Sequence, residues 1–557
     1  MIPDSWGEGA VALENHMSKN SNHFTSRIFR RLYFCRPLSV GLSLALLGSL
    51  ALWAQSAPTL AVSNESAPAQ ANRAGMRLVS EGHLDEAIST FKNGLSTDPQ
   101  NTVLLNVIGA TYTLKGDFEQ AENYLLQSLQ TDPGFVPARK NLAISYFNLG
   151  KYDLATREFQ RLMNEPSTRS VALLFRGMIA EEQRAFSKSA SLLAESGEVV
   201  YQYPRALLSF AHSLFELKQT QKADAVLERL DAMSGVAAAE YFKAGLLFSQ
   251  HRQYQQALAE FERADKLDAG LPGLQYRRAV VLDQLGRFEE AQKVLKDLTS
   301  IKPDADSLNL LASLARRSGD LNLAIQSLRQ AALLEPNREV NYLDFSTICM
   351  DYENYSLALE VADIGLAHIP GSYRLQVQKG AILEKLGRFG EAEKIVRRAS
   401  LLQRDNSVAL VSLGIIQTHA GKLQDAINTL SSAIKKFPSN FQMHYYLGVA
   451  LEQTLKHDAQ AAKAFGRAIR LNPSFADSYY HLSKLSLNQD PKLAEKNLLT
   501  CLRLDPQHLS AKYSLGRLYL KTGRRVQGRA LIDAFERQQQ AEKAKTQQKP
   551  SLQLAQR

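Results

Sequence analysis

A small side chain recurs about every 34 residues along this chain, and in most units an apolar side chain follows four residues later. Ala121 with Leu125 and Ala257 with Phe261 are examples. A spacing of four places both side chains on one face of a helix, one turn apart. The pattern predicts stacked helical hairpins whose two helices cross at the small residue. The fourteen small residues are Ala87, Ala121, Ala155, Ser189, Ala223, Ala257, Ala291, Ala324, Ala358, Ala392, Ala426, Ala461, Ala494 and Gly528.

Glycines and prolines mark the predicted helix ends. Gly116 and Gly421 stand between the two helices of a unit, where a left-handed residue ends the first helix. Pro133 and Pro438 stand between units, where a proline at a helix start loses no hydrogen bond. No segment alternates with period two, so we predict an all-α fold. The units near 167–203 and 230–237 lack the terminal proline, and altered stacking is predicted there.

Another group of glycines falls in the middle of the predicted first helices. A glycine there costs about 1 kcal/mol relative to alanine, so its recurrence predicts close packing against the second helix. The positions are Gly75, Gly109, Gly177, Gly245, Gly380, Gly414, Gly448 and Gly516.

Two units carry the pattern most completely. Unit 102–135 contains Gly109, Tyr112, Gly116, Phe118, Ala121, Leu125 and Pro133, and unit 407–440 contains Leu413, Gly414, Gly421, Ala426, Leu430, Ala433 and Pro438. This arrangement resembles the tetratricopeptide repeat family, whose period is 34 residues. The resemblance covers residues 69–540. It implies an all-α fold, a right-handed α-α superhelix (solenoid) of about fourteen helical hairpins.

The segment 38–54 is an uncharged run that follows four arginines, Arg27, Arg30, Arg31 and Arg36. Such a run predicts a signal peptide or a membrane anchor, with the repeats outside the cytoplasm, either periplasmic or anchored in the cytoplasmic membrane. Its length is near the lower limit for spanning a bilayer, so cleavage stays open. The predicted organisation is a basic N-terminal segment 1–37, this apolar segment 38–54, a flexible linker 55–68, the repeat solenoid 69–540 and a basic disordered tail 541–557.

The net charge of the chain is +10, and much of the excess lies at its ends. The segment 524–557 holds eight basic residues against three acidic ones. The repeat array as a whole is therefore close to neutral, which argues against a nucleic acid as its partner.

The sequence lacks the patterns of the common catalytic and metal sites. It contains no His-Glu-x-x-His pair, no Gly-x-Ser-x-Gly turn and no phosphate loop ending in Gly-Lys-Ser. Cys349 and Cys501 fall at packing positions of their units and are predicted to be inert. We predict a protein that is not an enzyme and that has no catalytic residue, metal or cofactor.

The family resemblance implies that positions 2, 5, 9 and 12 of each first helix line a concave groove. In the third to seventh units these positions are largely apolar, and three tyrosines with an arginine follow near the far end. We predict a partner-binding groove, although internal packing of the apolar strip and ordinary repeat packing of the tyrosines stay open as alternatives. The residues are Ile144, Phe147, Leu174, Met178, Leu208, Phe215, Phe242, Leu246, Tyr276, Tyr445, Tyr479, Tyr513 and Arg517.

The predicted function is a noncatalytic, exported or membrane-anchored scaffold that binds proteins or peptide segments in this groove. Segment 38–54 would add a membrane contact if it is not cleaved. Some members of the family hold a peptide's terminal carboxylate with lysines and asparagines; Lys140 and Asn141 fall near those positions, but Val171 and Phe175 stand where cations are needed. The alternative function is a periplasmic component of an exopolysaccharide synthesis or secretion complex, with polysaccharide bound at the tyrosines.

Overall fold

The computed structural model describes residues 66–454 and 457–547. Within these ranges it contains 28 α-helices, two 3₁₀-helices and no β-strand, so the predicted all-α fold is confirmed. The predicted basic segment 1–37 and apolar segment 38–54 lie outside the described residues. Among the described helices, none combines the length and apolar character needed to cross a membrane.

The chain forms two compact units that divide between Arg277 and Arg278. The first unit holds six complete hairpins and the start of α13. Its helices are α1 Ala67–Ser80, α2 Leu84–Thr97, α3 Thr102–Lys115, α4 Phe118–Thr131, α5 Val136–Asn148, α6 Tyr152–Leu162, α7 Pro166–Glu182, α8 Phe186–Glu195, α9 Pro204–Glu216, α10 Thr220–Glu228, α11 Ala238–Gln250 and α12 Tyr254–Leu267.

The second unit continues from within α13 through α28. In every hairpin the odd-numbered helix is the first and the even-numbered helix is the second. The helices are α13 Leu274–Gln284, α14 Phe288–Ile301, α15 Ala305–Ser318, α16 Leu321–Leu334, α17 Glu339–Asp351, α18 Tyr355–His368, α19 Tyr373–Lys385, α20 Phe389–Leu402, α21 Val408–His419, α22 Leu423–Lys436, α23 Phe441–Glu452, α24 Asp458–Leu471, α25 Ala476–Ser486, α26 Pro491–Leu504, α27 Leu509–Lys521 and α28 Arg525–Gln547.

The two helices of each hairpin meet where the small residues and the mid-helix glycines predict. All of the small residues from Ala87 to Ala494 are completely buried. A Cβ built on Gly109 would lie 2.5 Å from Leu125 Cγ and 3.2 Å from the carbonyl oxygen of Ala121. Any larger side chain at either helix would therefore push the two axes apart.

The turn inside each hairpin uses a left-handed residue. Gly116 and Gly421 have φ values of 82° and 73°. In four hairpins an L-residue adopts this conformation instead: Arg184, Lys218, Arg252 and Glu353, with φ close to 60°. These hairpins keep the turn at a conformational cost that glycine would not incur.

Departures from the repeat pattern fall near the predicted places. Short 3₁₀-helices at Gly197–Gln202 and Arg229–Ala232 follow second helices α8 and α10, in the two regions where altered stacking is predicted. The helical region also begins at Ala67 and continues to Gln547, so α28 extends into the segment predicted as a disordered tail.

Candidate functional site

The first-helix face comprises the side chains at positions 2, 5, 9 and 12 of the first helices, which form the predicted binding groove, together with the neighbouring positions 6 and 13. Most of its apolar residues in the first unit are packed inside the repeats. Leu246 and Tyr276 are half-buried. The others are at most 7% exposed: Ile144, Phe147, Leu174, Met178, Leu208, Phe215 and Phe242.

Phe147 shows why this strip is inaccessible. The guanidinium of Arg205, on the first helix two hairpins further on, lies 4.6 Å from the centre of the Phe147 ring. The Phe175 ring contacts it from another side, with ring centres 5.2 Å apart. The prediction that these seven residues line an open groove is thus corrected, because the chain's own side chains cover them. They follow the alternative given above, internal packing.

Charged groups on α7, α9 and α11 accompany this packing. His212 Nδ1 lies 2.6 Å from Glu181 Oε1, and Arg205 Nη2 donates to Glu182 Oε1 over 3.5 Å. Burial, reinforced by the charge of Glu181, raises the pKa of the Glu182 carboxyl despite the nearby Arg205. These acidic and basic side chains form a partly dehydrated network beside the buried apolar strip.

Two lysines on the first-helix face are dehydrated without forming an ion pair in the described part of the chain. Burial lowers the pKa of Lys140, and no nearby acidic group opposes this effect. Burial also lowers the pKa of Lys243, with Arg205 adding to the shift while Glu240 and Glu182 oppose it. An anionic group brought to either ammonium would restore favourable electrostatics that dehydration has removed.

The predicted tyrosine ladder in the second unit is graded in exposure. Tyr445 is 5% exposed and is enclosed by aromatic rings that include Phe465 and Phe475. Tyr479 is half-buried and its hydroxyl donates to the carbonyl oxygen of Pro473 at 3.1 Å.

Of the three tyrosines, Tyr513 is the one whose side chain is exposed. Tyr513 is 40% exposed, with its ring 5.1 Å from that of Phe535 and the Arg517 guanidinium 5.8 Å from its centre. Arg517 is itself exposed, so these two residues are the ones that a ligand would reach.

The two described cysteines are unsuited to nucleophilic chemistry. Cys349 and Cys501 are both completely buried and free of disulfides. Burial raises the pKa of each thiol to about 12, so neither forms the reactive thiolate near neutral pH.

Sequence reasoning missed Glu182, Arg205 and Lys243 as members of the first-helix face. A signal existed, because Arg205 occupies groove position 2 of its repeat and Lys243 occupies position 6, beside groove position 5. The decisive contact of Arg205 with Phe147 spans two hairpins, however, and no spacing within one repeat reveals it.

Comparisons with known families agree with the hairpin geometry. Models described as tetratricopeptide repeat match residues 113–172, 249–314, 305–338 and 413–474. This chain is a tetratricopeptide repeat protein. Its matches fall in both units, and each covers hairpins that cross at the small residues described above.

Several curated proteins match parts of the chain. A TPR repeat-containing protein of Pseudomonas aeruginosa is 27% identical over 206 residues, which is 36% of this chain and 35% of that protein. The human protein O-mannosyl-transferase TMTC3 is 22% identical over 420 residues, 75% of this chain and 40% of that protein. Cellulose synthase 2 operon protein C of Komagataeibacter xylinus is 24% identical over 249 residues, 41% of this chain and 19% of that protein. The alignments thus span well under half of each relative.

Proposed function

We propose that this tetratricopeptide protein is a noncatalytic scaffold that binds segments of partner proteins on its first-helix face. Tetratricopeptide hairpins are a protein-interaction fold, and both units of the chain are built from them. The contact region in the first unit would include Leu246 and Tyr276, which are half-buried, together with Lys140 and Lys243. The partner segment would carry acidic side chains.

The dehydrated lysines carry this proposal. Lys140 and Lys243 lie on the first-helix face and have no hydrogen bond or ion pair to an acidic side chain among the described residues. Leaving an ammonium partly dehydrated costs free energy, which a carboxylate supplied by a partner would recover. This site differs from the terminal-carboxylate set of other family members, because Val171 and Phe175 still occupy the intervening positions.

A scaffold without chemistry of its own also fits the other polar groups. The Glu181–His212 and Glu182–Arg205 pairs hold α7 to α9, and both described thiols are buried. The alignment with the relative named as a mannosyl-transferase spans 40% of that protein, so the activity of that protein is not transferred to this chain.

Photocrosslinking tests the proposed surface. A photoreactive residue at Leu246, one turn from Lys243 on α11, should capture a partner segment, and Lys243→Glu in the same chain should lower that capture about tenfold. A photoreactive residue at Lys222, exposed on second helix α10, is the matched control. Equal capture at Lys222, or capture insensitive to Lys243→Glu, would contradict the proposal.

The second candidate function is participation in exopolysaccharide synthesis or secretion. It is favoured by the similarity to cellulose synthase 2 operon protein C and by the exposed Tyr513 beside Arg517. Titration of the chain with soluble oligosaccharides should then quench tyrosine fluorescence, and Tyr513→Ala should abolish the effect. Peptide capture at Leu246 without any saccharide response would leave the protein scaffold as the function.

Export is a further part of the proposal and rests on the arginines before segment 38–54. A reporter enzyme that is active only outside the cytoplasm, fused after residue 557, should be active. Replacing Arg27, Arg30, Arg31 and Arg36 by glutamate should reduce that activity. A fusion that is inactive with the natural sequence would place the repeats inside the cell.

A further inference from the structure

The charge of the second helices changes sign along the chain. The six second helices of the first unit, α2 to α12, contain seven Lys or Arg and twelve Asp or Glu, a difference of −5. The last four second helices, α22 to α28, contain thirteen Lys or Arg and six Asp or Glu, a difference of +7. The repeat array is close to neutral as a whole, but its last four second helices are therefore strongly basic.

Four of these cations occupy the same place in successive repeats. Lys435, Arg470, Arg503 and Arg537 each stand nine residues after the small residue of their own hairpin. We call these four side chains the cation ladder. Adjacent hairpins pack about 10 Å apart, so the ladder presents one positive charge at roughly that interval. The ten earlier repeats carry a cation at this place only once, at Lys266.

All four side chains of the cation ladder are exposed. None forms an ion pair with another of the described residues; the guanidinium of Arg537 donates only to the main-chain oxygen of Asp533, at 3.2 Å. On α26 the one acidic side chain, Glu495, is held by both terminal nitrogens of Arg524 at 2.6 Å. The ladder is thus free to bind an external anion.

Exposed apolar side chains accompany the ladder on α26. Leu499 is 47% exposed and Leu504, next to Arg503, is 37% exposed. A shallow depression on this helix is lined by Lys492, Glu495, Lys496, Leu499, Thr500 and Arg503. Exposed cations beside exposed leucines on one helix suit a membrane surface, where cations contact anionic headgroups and apolar side chains contact the acyl boundary.

We propose that the outward face of the last four second helices, centred on the cation ladder, binds the surface of a membrane containing anionic lipid. The cations would contact lipid phosphates, and Leu499 and Leu504 would enter the boundary between headgroups and acyl chains. A soluble polyanion such as a nucleic acid would satisfy the cations but would leave these leucines in water. This surface is separate from the first-helix face, so its failure and that of the proposed scaffold function are independent.

Vesicle binding by the full chain tests this proposal. The ladder variant carries Lys435→Gln, Arg470→Gln, Arg503→Gln and Arg537→Gln. It should bind vesicles of phosphatidylcholine with about 30% phosphatidylglycerol roughly several hundredfold more weakly than the natural chain, at about fivefold per charge. Binding to vesicles of phosphatidylcholine alone should not change. Both proteins retain residues 38–54, so any insertion of that segment contributes equally.

A matched control removes the same charge from the first unit. Its changes are Arg157→Gln, Lys188→Gln, Lys222→Gln and Lys266→Gln, all at exposed positions of second helices. The control should bind anionic vesicles as the natural chain does. Equal losses in both variants would overturn the proposal, because binding would then follow total charge alone.

A last comparison separates the membrane from a soluble polyanion. Leu499→Asn with Leu504→Asn should weaken vesicle binding and leave any binding of double-stranded DNA unchanged. If the ladder variant lost DNA binding while its vesicle binding stayed at the natural level, the membrane proposal would be wrong and a nucleic acid would be the partner. Unchanged circular dichroism of every variant would show that the helices are intact.

Discussion

Phe261 occupies the space that a side chain on Gly245 would need: a Cβ at Gly245 would lie 2.5 Å from both Cδ1 and Cε1 of the Phe261 ring. The ring is completely buried, so it cannot turn away. Gly245→Ala should therefore lower the free energy of unfolding of the α11–α12 hairpin by about 2 to 3 kcal/mol. Hydrogen exchange of the α11 and α12 amides would measure this loss locally.

Gly390 provides the matched control for this substitution. It lies in second helix α20, is exposed, and a Cβ built there meets nothing within 4 Å. Gly390→Ala should stabilise its hairpin by about 0.5 to 1 kcal/mol, because alanine is the better helix former. Destabilisation by both substitutions would refute packing as the reason for the mid-helix glycines.

Lys218 and Arg252 adopt the left-handed conformation that glycine adopts in most of the other hairpins, with φ values of 60° and 62°. Changing either to glycine relieves strain of about 1 to 2 kcal/mol but gives the unfolded chain about 0.4 to 1 kcal/mol of extra freedom. Each variant should thus be more stable by about 0.5 kcal/mol in thermal unfolding. The reverse change, Gly116→Ala, should be destabilising, and a stabilising effect there would contradict this account.

Glu393 accepts three hydrogen bonds: Lys422 Nζ at 2.8 Å and Gln417 Nε2 at 3.0 Å join it to the next hairpin, while Arg397 Nη2 at 2.8 Å lies on the same helix, α20. The hydrogen bond from Lys422 is the largest of the effects that lower the pKa of this carboxyl to about 2, against the opposing effect of burial. Its stabilising effect is therefore complete above the unfolded pKa and is lost as the pH falls through about 2.

Glu393→Gln should consequently lower stability near neutral pH by about 1 kcal/mol. The difference from the natural chain should close as the pH is lowered from about 5 to about 2. Denaturant unfolding over this range measures it, and a gap that stays constant with pH would show that charge at Glu393 is unimportant.

Glu260 should behave in the opposite way. It is 8% exposed, its Oε2 has no hydrogen-bond partner among the described residues, and burial raises its pKa to about 7 although Arg263 is close. Stability is therefore lost as the pH rises from the unfolded pKa, about 4.5, to about 7.

Glu260→Gln should remove this loss. Relative to the natural chain, the variant should gain about 2 kcal/mol between about pH 4 and about pH 8. Paired denaturation curves at the two pH values provide the measurement. A relative loss for the variant at the higher pH would mean that the Arg263 contact outweighs the burial of the carboxylate.

The sequence predicted the repeat architecture because its causes are local. A residue such as Ala121 must be small and Gly109 must lack a Cβ wherever two helices cross closely, and both requirements recur with the length of one hairpin. The left-handed turn was predicted at Gly116, because glycine favours that conformation. It was not predicted at Lys218, because a lysine does not indicate a left-handed backbone.

The accessible surface was decided by contacts between hairpins that are not adjacent in the chain. Phe147 has the repeat position of a groove residue, and its distance to the Arg205 guanidinium depends on how each hairpin is turned relative to the next. Small rotations at successive hairpins add up, so no single repeat specifies this distance. By itself the sequence determined the hairpins and the order of their charges, including the cation ladder. Only the tertiary structure decided that the apolar strip is covered while Tyr513 and the ladder remain exposed, because burial depends on all the neighbours of a side chain and not on its register alone.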